Sequence, residues 1–530
     1  AYMEGDGDDA QLVVIGRSIN IHLHMADLQE SLGYENVRYE EAFSGGNFGQ
    51  KIAMTSEAIS GAAALRFRRP VRYIPSLAES MLMSSKRHAF AMKVRLGCGK
   101  DGKLTAFTID LTVDNGAYQI IGISVVKRAL WMLSGSYSIP NVNAMARLVY
   151  TNNPAGGAAR GAGPPQVTFA LESAMDMLAA KMGMDALEFR RINSLLPGQS
   201  CSTGMVYDEW PFPELCDAIR PAYERAKREA AAAEAGPVKR GVGIASHAFG
   251  IGTPADIARV VVELDPDDGL TVFAAVADPG EGNDSMLTQI ASHLTGIPMD
   301  RIRLVTRDTD RTTGMGPAAA SRMTYMAGGS LVLAIEQLKK AMEEAGVDTY
   351  EGMKKAGKPT HYLGSKMAAG KDANMDPETG QGLSFESRVH AIQMAEVEVD
   401  TDTGEVRVLR MTTAVDPGTV INPQNLEGQL HGGMDQGVGF ALREQYIHGE
   451  TKDWFTFKFP TMKTAFDMDV IIRETPRAKG PLGAVGIGEM TMVCTAPAVI
   501  NAICDACGVR IYDLPATPEK IRTALDEKTA

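Results

Sequence analysis

Apolar and polar residues alternate in three pairs of short segments along this chain of 530 residues. The pairs lie at 92–96 and 103–111, at 259–264 and 270–276, and at 395–399 and 405–409. The two segments of each pair are joined by a turn that contains Asp and Gly. Alternation with a period of two on both sides of such a turn predicts a β-hairpin, so we expect three antiparallel strand pairs.

Helical periodicity separates these hairpins. Apolar residues fall three and four positions apart at 172–180 and 331–345, which predicts helices with one buried face. The segment 214–234 is rich in Ala, Glu, Lys and Arg and predicts an exposed helix. Hairpins and helices without a regular strand–helix–strand ladder favour an α+β fold with mixed or antiparallel sheets and packed helices. We place a domain boundary near residue 208 and predict two large elongated domains, 1–208 and 209–530.

Two further segments are expected to lie outside the core. The polar stretch 351–382, rich in Gly and Lys, predicts an excursion over the surface. Residues 1–16 have the pattern of the second arm of a hairpin whose first arm is absent, so we expect that residue 1 is not the natural start.

Composition excludes several classes of function. A formal net charge of −12 disfavours nucleic-acid binding, because phosphate contacts need a basic surface. No apolar run is expected to approach the about 18 residues that span a bilayer, so no membrane partner is predicted. Six cysteines are too few for a disulfide framework and favour a reducing, cytoplasmic location, with Cys504 and Cys507 as thiols near a helix end. The sequence lacks the GxSxG, HExxH and Walker motifs of common hydrolases and nucleoside triphosphatases.

Four glycine-dense segments, at 43–51, 158–166, 278–286 and 480–491, each follow a strand-like run. Glycine there allows backbone N–H groups to approach an anion or a cofactor, although such segments are often only turns. Gly280, Gly282 and Asn283 precede a helix predicted to begin near Ser285, where unpaired N–H groups favour a phosphate. Glu489 allows two interpretations. The helix dipole alone favours a carboxylate in the first turn of a helix, or Glu489 is a catalytic base.

In their order and separation, five motifs resemble the molybdopterin-binding part of the xanthine oxidase family. They are FSGGNFGQK, ARGAGPPQ, DPGEGND, DPGTVINPQN and GAVGIGEMT, which begin at residues 43, 159, 278, 416 and 483. The strongest likeness is to bacterial aldehyde oxidoreductases that carry a molybdopterin cytosine dinucleotide. It extends over essentially the whole chain, including 69–90 and 389–400.

The resemblance implies a role for each matching residue. Glu489 matches the general base beside the metal, and Arg160, which alone could equally form a surface salt bridge, matches an arginine near the pterin and the active site. The residues implied to contact the cofactor are Phe48, Gly49, Arg160, Gly280, Glu281, Gly282, Asn283, Asp284, Ser321, Arg322, Asn422, Val485, Gly486, Ile487 and Gly488. Molybdenum is expected to be held by the pterin dithiolene, so no protein side chain is predicted as a metal ligand.

The implied activity is oxidation of an aldehyde to a carboxylic acid, with water as the oxygen source. Electrons are expected to pass to iron–sulfur clusters on a missing domain or a partner chain, and a homodimer is the implied assembly. Two alternatives stay open: hydroxylation of an aromatic N-heterocycle, and a scaffold subunit that has lost its cofactor. Ala162 replaces an aromatic residue usual in the family, which implies room for a bulkier substrate. Ala89 and His431 replace a Pro and a Glu that are common there.

Overall fold

The computed structural model describes residues 1–7, 9–233, 236–368 and 375–529. Its strands are β1 (Tyr2–Glu4), β2 (Gln11–Gly16), β3 (Val37–Glu41), β4 (Lys86–Arg87), β5 (Phe90–Cys98), β6 (Leu104–Asp114), β7 (Asn141–Val149), β8 (Gly156–Gly157), β9 (Val238–Ile251), β10 (Ile257–Leu264), β11 (Leu270–Phe273), β12 (Ile302–Val305), β13 (His361–Met367), β14 (Ser387–Asp400), β15 (Val406–Asp416) and β16 (Asp467–Ile472). Its α-helices are α1 (Ile21–Leu32), α2 (Glu57–Phe67), α3 (Leu77–Met83), α4 (Gly122–Trp131), α5 (Pro164–Met182), α6 (Ala186–Ile192), α7 (Phe212–Ala231), α8 (Asn283–Thr295), α9 (Gly328–Ala345), α10 (Tyr350–Lys355), α11 (Pro423–Leu442), α12 (Trp454–Phe457), α13 (Met490–Val493), α14 (Thr495–Cys507) and α15 (Pro518–Thr529).

The strands form small mixed sheets. Their orders are β1-β2-β3, β4-β8, β5-β6-β7, β12-β11-β10-β13 and β16-β15-β14-β9. Each of the larger sheets combines one or two antiparallel pairs with one parallel pair, namely β2–β3, β6–β7, β11–β12 or β15–β16. Mixed sheets with packed helices confirm the predicted α+β class. The predicted boundary at residue 208 lies between α6 and α7, and the division into two domains stays a prediction.

All three predicted hairpins are confirmed. Strands β5 and β6, β10 and β11, and β14 and β15 are each antiparallel. The strands β14 and β15 extend well beyond the alternating segments, because β14 is covered on both edges by β9 and β15. The strand β11 ends at Phe273, three residues before the predicted end at 276.

The predicted helices at 172–180 and 331–345 lie within α5 and α9. The segment 214–234 was predicted to form an exposed helix. Helix α7 confirms the helix, but the prediction of exposure is wrong, because one face of α7 is buried in the core. Leu215, Ile219 and Tyr223 lie on that face at spacings of four residues, and Leu215 and Ile219 are fully buried. The many charged residues of α7 lie on its other face and concealed this apolar stripe.

Two predictions about peripheral segments are also wrong. The stretch 351–382 contains most of α10, in which Met353 is fully buried, and β13, which pairs along β10; residues 369–374 lie outside the described residues. The opening segment holds both arms of a hairpin, since Tyr2–Glu4 pairs antiparallel with β2. This pairing does not test the expectation that residue 1 is not the natural start, which stays a prediction.

Two buried clusters form the core, and both combine residues that are distant in the sequence. One joins β2, β3 and α1 to β10, α8, α9 and α14, and the other joins β6, α5 and α7 to parts of β9 and β14. Contrary to expectation, Met490–Cys507 is long and apolar enough to span a bilayer, but 78% of it is buried inside the protein, as in a core helix. All six cysteines are free thiols, and Cys504 and Cys507 lie at the end of α14.

Candidate functional site

A cavity of about 790 Å³ opens where six loops from both halves of the chain converge. The loops follow β3, β8 and β15 and precede α8, α9 and α13. Every residue implied to contact the cofactor lines this cavity except Asp284, and Glu489 lines it as well. The glycine-dense segments of the sequence are therefore brought together at one site.

The loop before α8 is folded by the carboxylate of Asp278. Its Oδ1 accepts hydrogen bonds from the N–H groups of Gly280 and Gly282, both at 3.0 Å, and its Oδ2 accepts one from the N–H of Asp284 at 3.0 Å. The helix begins at Asn283, two residues earlier than expected. The prediction of unpaired N–H groups for a phosphate is therefore wrong at Gly280 and Gly282.

Asp284 lies away from the cavity. Asp284 belongs to the first turn of α8, and its Oδ2 accepts a hydrogen bond from Arg307 at 2.8 Å, as part of an ion pair. Its place in the loop is set by its backbone, and its side chain anchors the loop to Arg307.

Arg322 and Asn422 line the cavity but are committed to structural contacts. Arg322, only 3% exposed, donates two hydrogen bonds of 2.7 Å to the carboxylate of Asp256. Asn422 is the N-cap of α11, with its Oδ1 accepting from the N–H of Asn425 at 3.0 Å. These side chains stabilise the cavity wall, so they contribute mainly to the shape of the site.

Glycines at the cavity allow neighbouring loops to touch. A Cβ at Gly49 would lie 2.3 Å from the carbonyl oxygen of Ala158, and one at Gly486 would lie 2.0 Å from that of Ser321. At Gly280, by contrast, a Cβ would have no atom within 4 Å, so this position leaves open space. The sequence could not distinguish glycines needed for loop packing from one that leaves room.

Replacing Gly486 by Ala is expected to lower the free energy of unfolding by about 1–3 kcal/mol, because the new methyl group overlaps the backbone of Ser321. Gly488→Ala is the matched control, since its Cβ would meet its nearest atom at 3.7 Å. Chemical denaturation of both variants tests this. Equal stability of the two variants would contradict the close approach of these loops.

Glu489, whose side chain is 16% exposed, is the residue immediately before α13. Its N–H donates to Oγ of Ser321 at 2.9 Å, which fixes its position in the loop. Ala320 and Ser321 both have left-handed backbone conformations, with φ of 58° and 54°, so this contact is made by a strained turn. Burial raises the pKa of Glu489, and the charges of Arg128 and Arg160 oppose the rise.

Two guanidinium groups flank Glu489 in different ways. Arg160, 6% exposed, donates from Nε to the carbonyl oxygen of Gly488 at 2.6 Å and from a terminal nitrogen to Oε1 of Gln429 at 2.9 Å. Its guanidinium lies 5.6 Å from the ring centre of Phe48. Burial lowers the pKa of Arg160 to about 10, although Glu489 and Glu281 favour its charged form. Arg160 thus ties three of the loops together.

Arg128 on α4 is a site residue that the sequence reasoning missed. A terminal nitrogen lies 3.7 Å from Oε2 of Glu489, yet this nitrogen and Nε are buried and have no hydrogen-bond partner among the residues that the structure describes. The rings of Phe249 and Phe385 pack against the guanidinium at 5.1 Å and 5.4 Å. Arg128 lines the cavity, so its guanidinium, packed against these aromatic faces, places hydrogen-bond donors beside Glu489. The only signal in the sequence was a Lys-Arg pair, 127–128, inside an apolar helix.

Arg87 supports the loop of Arg160 from behind. Its terminal nitrogens donate to the carbonyl oxygens of Ala159 at 3.4 Å and Arg160 at 3.0 Å. Gly161, Ala162 and Gly163 follow with φ of 93°, 42° and 108°, so this loop turns sharply beside Glu489. Ala162 lines the cavity, and its small side chain leaves space there.

The side chains of the cavity suit an organic cofactor. Among the described residues, no group of three or more His, Cys, Asp or Glu side chains is placed to hold a metal ion. The wall instead offers loop backbone, the Arg128 guanidinium and Oε2 of Glu489; this oxygen and two of the guanidinium nitrogens have no hydrogen-bond partner in the part of the chain that the structure describes. Such a wall fits a large group that carries its own metal ligands.

Comparisons with known proteins agree with this fit. Two models of a molybdopterin cofactor-binding domain match the chain, over residues 1–194 and 218–466. The aldehyde oxidoreductase of Megalodesulfovibrio gigas is 36% identical over 99% of this chain and 58% of that protein. The xanthine dehydrogenase molybdenum-binding subunit of Escherichia coli O157:H7 is 28% identical over 98% of this chain and 73% of that subunit. Among solved structures, the aldehyde oxidoreductase from Desulfovibrio gigas matches with a TM-score of 0.95 and 36% identity, over 99% of this chain and 59% of that one.

Proposed function

Because the chain belongs to the xanthine oxidase family, as its molybdopterin-binding portion, we propose that it holds the active site of a molybdenum hydroxylase that oxidises an aldehyde to a carboxylic acid. The observation that carries this proposal is the carboxyl of Glu489, which lines the cavity and whose buried Oε2 has no hydrogen-bond partner among the described residues. The similarity to aldehyde oxidoreductases supports the choice of an aldehyde.

In this proposal the cofactor, when bound, supplies the two-electron redox chemistry, and the protein supplies orientation and electrostatics. Glu489 is the general base and takes up a proton at its free Oε2. Burial favours the neutral carboxyl, whereas the charges of Arg128 and Arg160 favour the ionised one, so they act in opposite directions on the pKa of the proposed base. The short contacts of Arg160 hold the loops around Glu489 in one arrangement.

The form of the cofactor and the path of the electrons are further parts of the proposal. We infer a molybdopterin cytosine dinucleotide from the ordered motifs shared with the aldehyde oxidoreductases. The chain spans 58% of the length of the Megalodesulfovibrio gigas relative, which leaves room in the complete assembly for iron–sulfur clusters on another domain or subunit. We propose a homodimer in the cytoplasm as the working assembly.

The proposal is tested by analysing the protein as isolated from a host that makes the molybdenum cofactor. We expect molybdenum and pterin in equal amounts, and reduction of an artificial dye when an aldehyde is added. Protein that is folded but contains neither molybdenum nor pterin would contradict the proposal and favour a scaffold subunit.

Hydroxylation of an aromatic N-heterocycle is the second candidate, and Arg128 is the observation that favours it. Two nitrogens of the Arg128 guanidinium have no hydrogen-bond partner among the described residues, which suits a ring that carries an oxo or carboxylate acceptor, and Ala162 leaves space for such a ring. The similarity to a xanthine dehydrogenase subunit agrees with this candidate.

Replacing Arg128 by Met distinguishes the two candidates. A hydrogen bond to a charged group contributes about 1.5–3 kcal/mol, so kcat/KM for a substrate bound through Arg128 should fall by about 10- to 100-fold. For benzaldehyde, which has no second acceptor, the fall should be much smaller. A panel of benzaldehyde, purines and nicotinate measures this, and an equal fall for all substrates would contradict a role of Arg128 in substrate choice.

A further inference from the structure

The guanidinium of Arg128 lies beside Glu489 against two buried aromatic rings. One terminal nitrogen is 3.7 Å from Oε2 of Glu489, which is too long for a hydrogen bond, and neither this nitrogen nor Nε has a hydrogen-bond partner among the described residues. The ring centres of Phe249 and Phe385 lie 5.1 Å and 5.4 Å from the guanidinium carbon. Both rings are fully buried and neither lines the cavity, so they can act on the site only through Arg128.

The ring of Phe385 is itself fixed by its neighbours. Trp131, three residues after Arg128 on α4, meets this ring edge-on, with the ring centres 6.0 Å apart and an angle of 74° between the planes. A Cβ at Gly250 would lie 2.2 Å from the ring, so Phe385 occupies space that only glycine leaves open. The buried guanidinium of Arg388 lies 5.6 Å from the ring centre. Phe385 therefore has little freedom to move away from Arg128.

The charged groups near this contact leave Arg128 and Glu489 to each other. Arg128 is faced by the carboxylates of Glu489 and Asp256, and Glu489 is faced by the guanidinium groups of Arg128 and Arg160. Asp256 is already paired with Arg322 at 2.7 Å. In the part of the chain that the structure describes, only Arg128 forms an ion pair with Glu489.

We propose that Phe249 and Phe385 are positioning residues that keep the positive charge of Arg128 close to Glu489, and that they thereby help to keep the proposed base ionised. The proposal rests on the proposed function, in which Glu489 is the general base. A guanidinium is attracted to the faces of aromatic rings, and the attraction between Arg128 and Glu489 weakens as their separation grows. Loss of one ring thus lets the guanidinium move away, although no residue of the cavity wall has changed.

The test is the pH dependence of kcat, expressed per molybdenum bound, in the wild type, Phe385→Met, Arg128→Met and the double variant. Met fills much of the space of Phe but has no aromatic face. Because the base must be ionised, kcat falls as pH falls through the pKa of Glu489, and loss of a nearby positive charge moves that fall to higher pH. Phe385→Met should move it by at least about 0.5 pH unit, in the same direction as Arg128→Met, and the double variant should move no further than Arg128→Met.

Phe107→Met is the matched control. Phe107 is also buried, at 1% exposed, but it lies on β6 in the second buried cluster and does not line the cavity. This variant loses a buried ring far from Arg128, so its pH profile should match that of the wild type. Phe249→Met removes the other ring and should repeat the shift of Phe385→Met.

A second measurement follows the protonation of Glu489 without turnover. Infrared spectra between about pH 4 and about pH 9 contain the C=O band of the protonated carboxyl, which is identified by its absence in Glu489→Gln. The midpoint of this band should move to higher pH in Phe385→Met and in Arg128→Met, and by no more in the double variant.

Shifts that simply add in the double variant would overturn the proposal, and so would an unchanged profile in Phe385→Met that retains its molybdenum. If Phe385→Met does not fold, Phe249→Met is judged by the same two criteria. Wild-type protein that holds the cofactor but oxidises no aldehyde would contradict the proposed function, and the infrared midpoints would then decide by themselves whether the rings position Arg128.

Discussion

Replacing Glu489 by Gln is expected to lower kcat by about 10²- to 10⁴-fold and to leave the molybdenum and pterin content unchanged. The amide keeps the size of the carboxyl and can still accept a hydrogen bond, but it cannot take up a proton at neutral pH. The N–H of residue 489 continues to donate to Ser321, so the loop keeps its shape. The measurement is aldehyde-dependent dye reduction, expressed per molybdenum bound.

Glu427→Gln provides the control for this prediction. Glu427 is a carboxyl on α11 whose side chain is 61% exposed and does not line the cavity, so its replacement should leave kcat unchanged. Full turnover by Glu489→Gln would eliminate Glu489 as the base. A loss of turnover with an equal loss of molybdenum would instead show that Glu489 supports cofactor binding.

The pH dependence of kcat in the wild-type protein should also show that Glu489 is the base. Because the base must be ionised to accept a proton, kcat should fall as pH falls through the pKa of Glu489. Burial raises this pKa, so the fall should begin above the ordinary range of Glu, which centres on about 4.3. In Arg128→Met one opposing positive charge is removed, and the fall should move to still higher pH.

The sequence was informative where the decisive interactions are local. The three hairpins depend on alternation and on Asp-Gly turns, and all three are present. The prediction for α7 rested on its charged residues, although the spacing of Leu215, Ile219 and Tyr223 already indicated a buried face. The error came from giving composition more weight than periodicity.

The site could be predicted only in part for a different reason. Glu489 and Arg160 stood out beside glycines, and the family motifs brought their roles together. Arg128 lies 361 positions before Glu489, and no local pattern shows that α4 places its guanidinium 3.7 Å from that carboxyl. Likewise, the carboxylate of Asp278 accepts hydrogen bonds from the N–H groups of Gly280 and Gly282, which the glycine spacing suggested for a phosphate. Burial and competition for hydrogen bonds are properties of the folded chain.

The second large effect is expected on stability, at the ion pair between Glu172 on α5 and Arg190 on α6. Both side chains are fully buried, and Nε of Arg190 donates to Oε2 of Glu172 at 2.8 Å. The hydroxyl of Tyr137 donates to the other oxygen of Glu172 at 2.5 Å. Replacing Arg190 by Met leaves a buried carboxyl without its counterion, so the free energy of unfolding should fall by about 3–5 kcal/mol.

The neighbouring residue gives a matched control for this stability prediction. Arg191 pairs with Asp217, but both side chains are largely exposed, so Arg191→Met should cost less than about 1 kcal/mol.

The stability defect of Arg190→Met should also depend on pH. Burial already raises the pKa of Glu172, and loss of Arg190 removes the main charge that opposes this rise. A group whose pKa is higher in the folded state favours folding at low pH and loses that contribution as pH rises. The defect of Arg190→Met should therefore shrink as the solution is acidified toward the ordinary pKa of Glu, and denaturation curves at several pH values would show it. A defect that is small, or equal at every pH, would mean that Glu172 is already neutral in the wild-type fold and that Arg190 contributes packing alone.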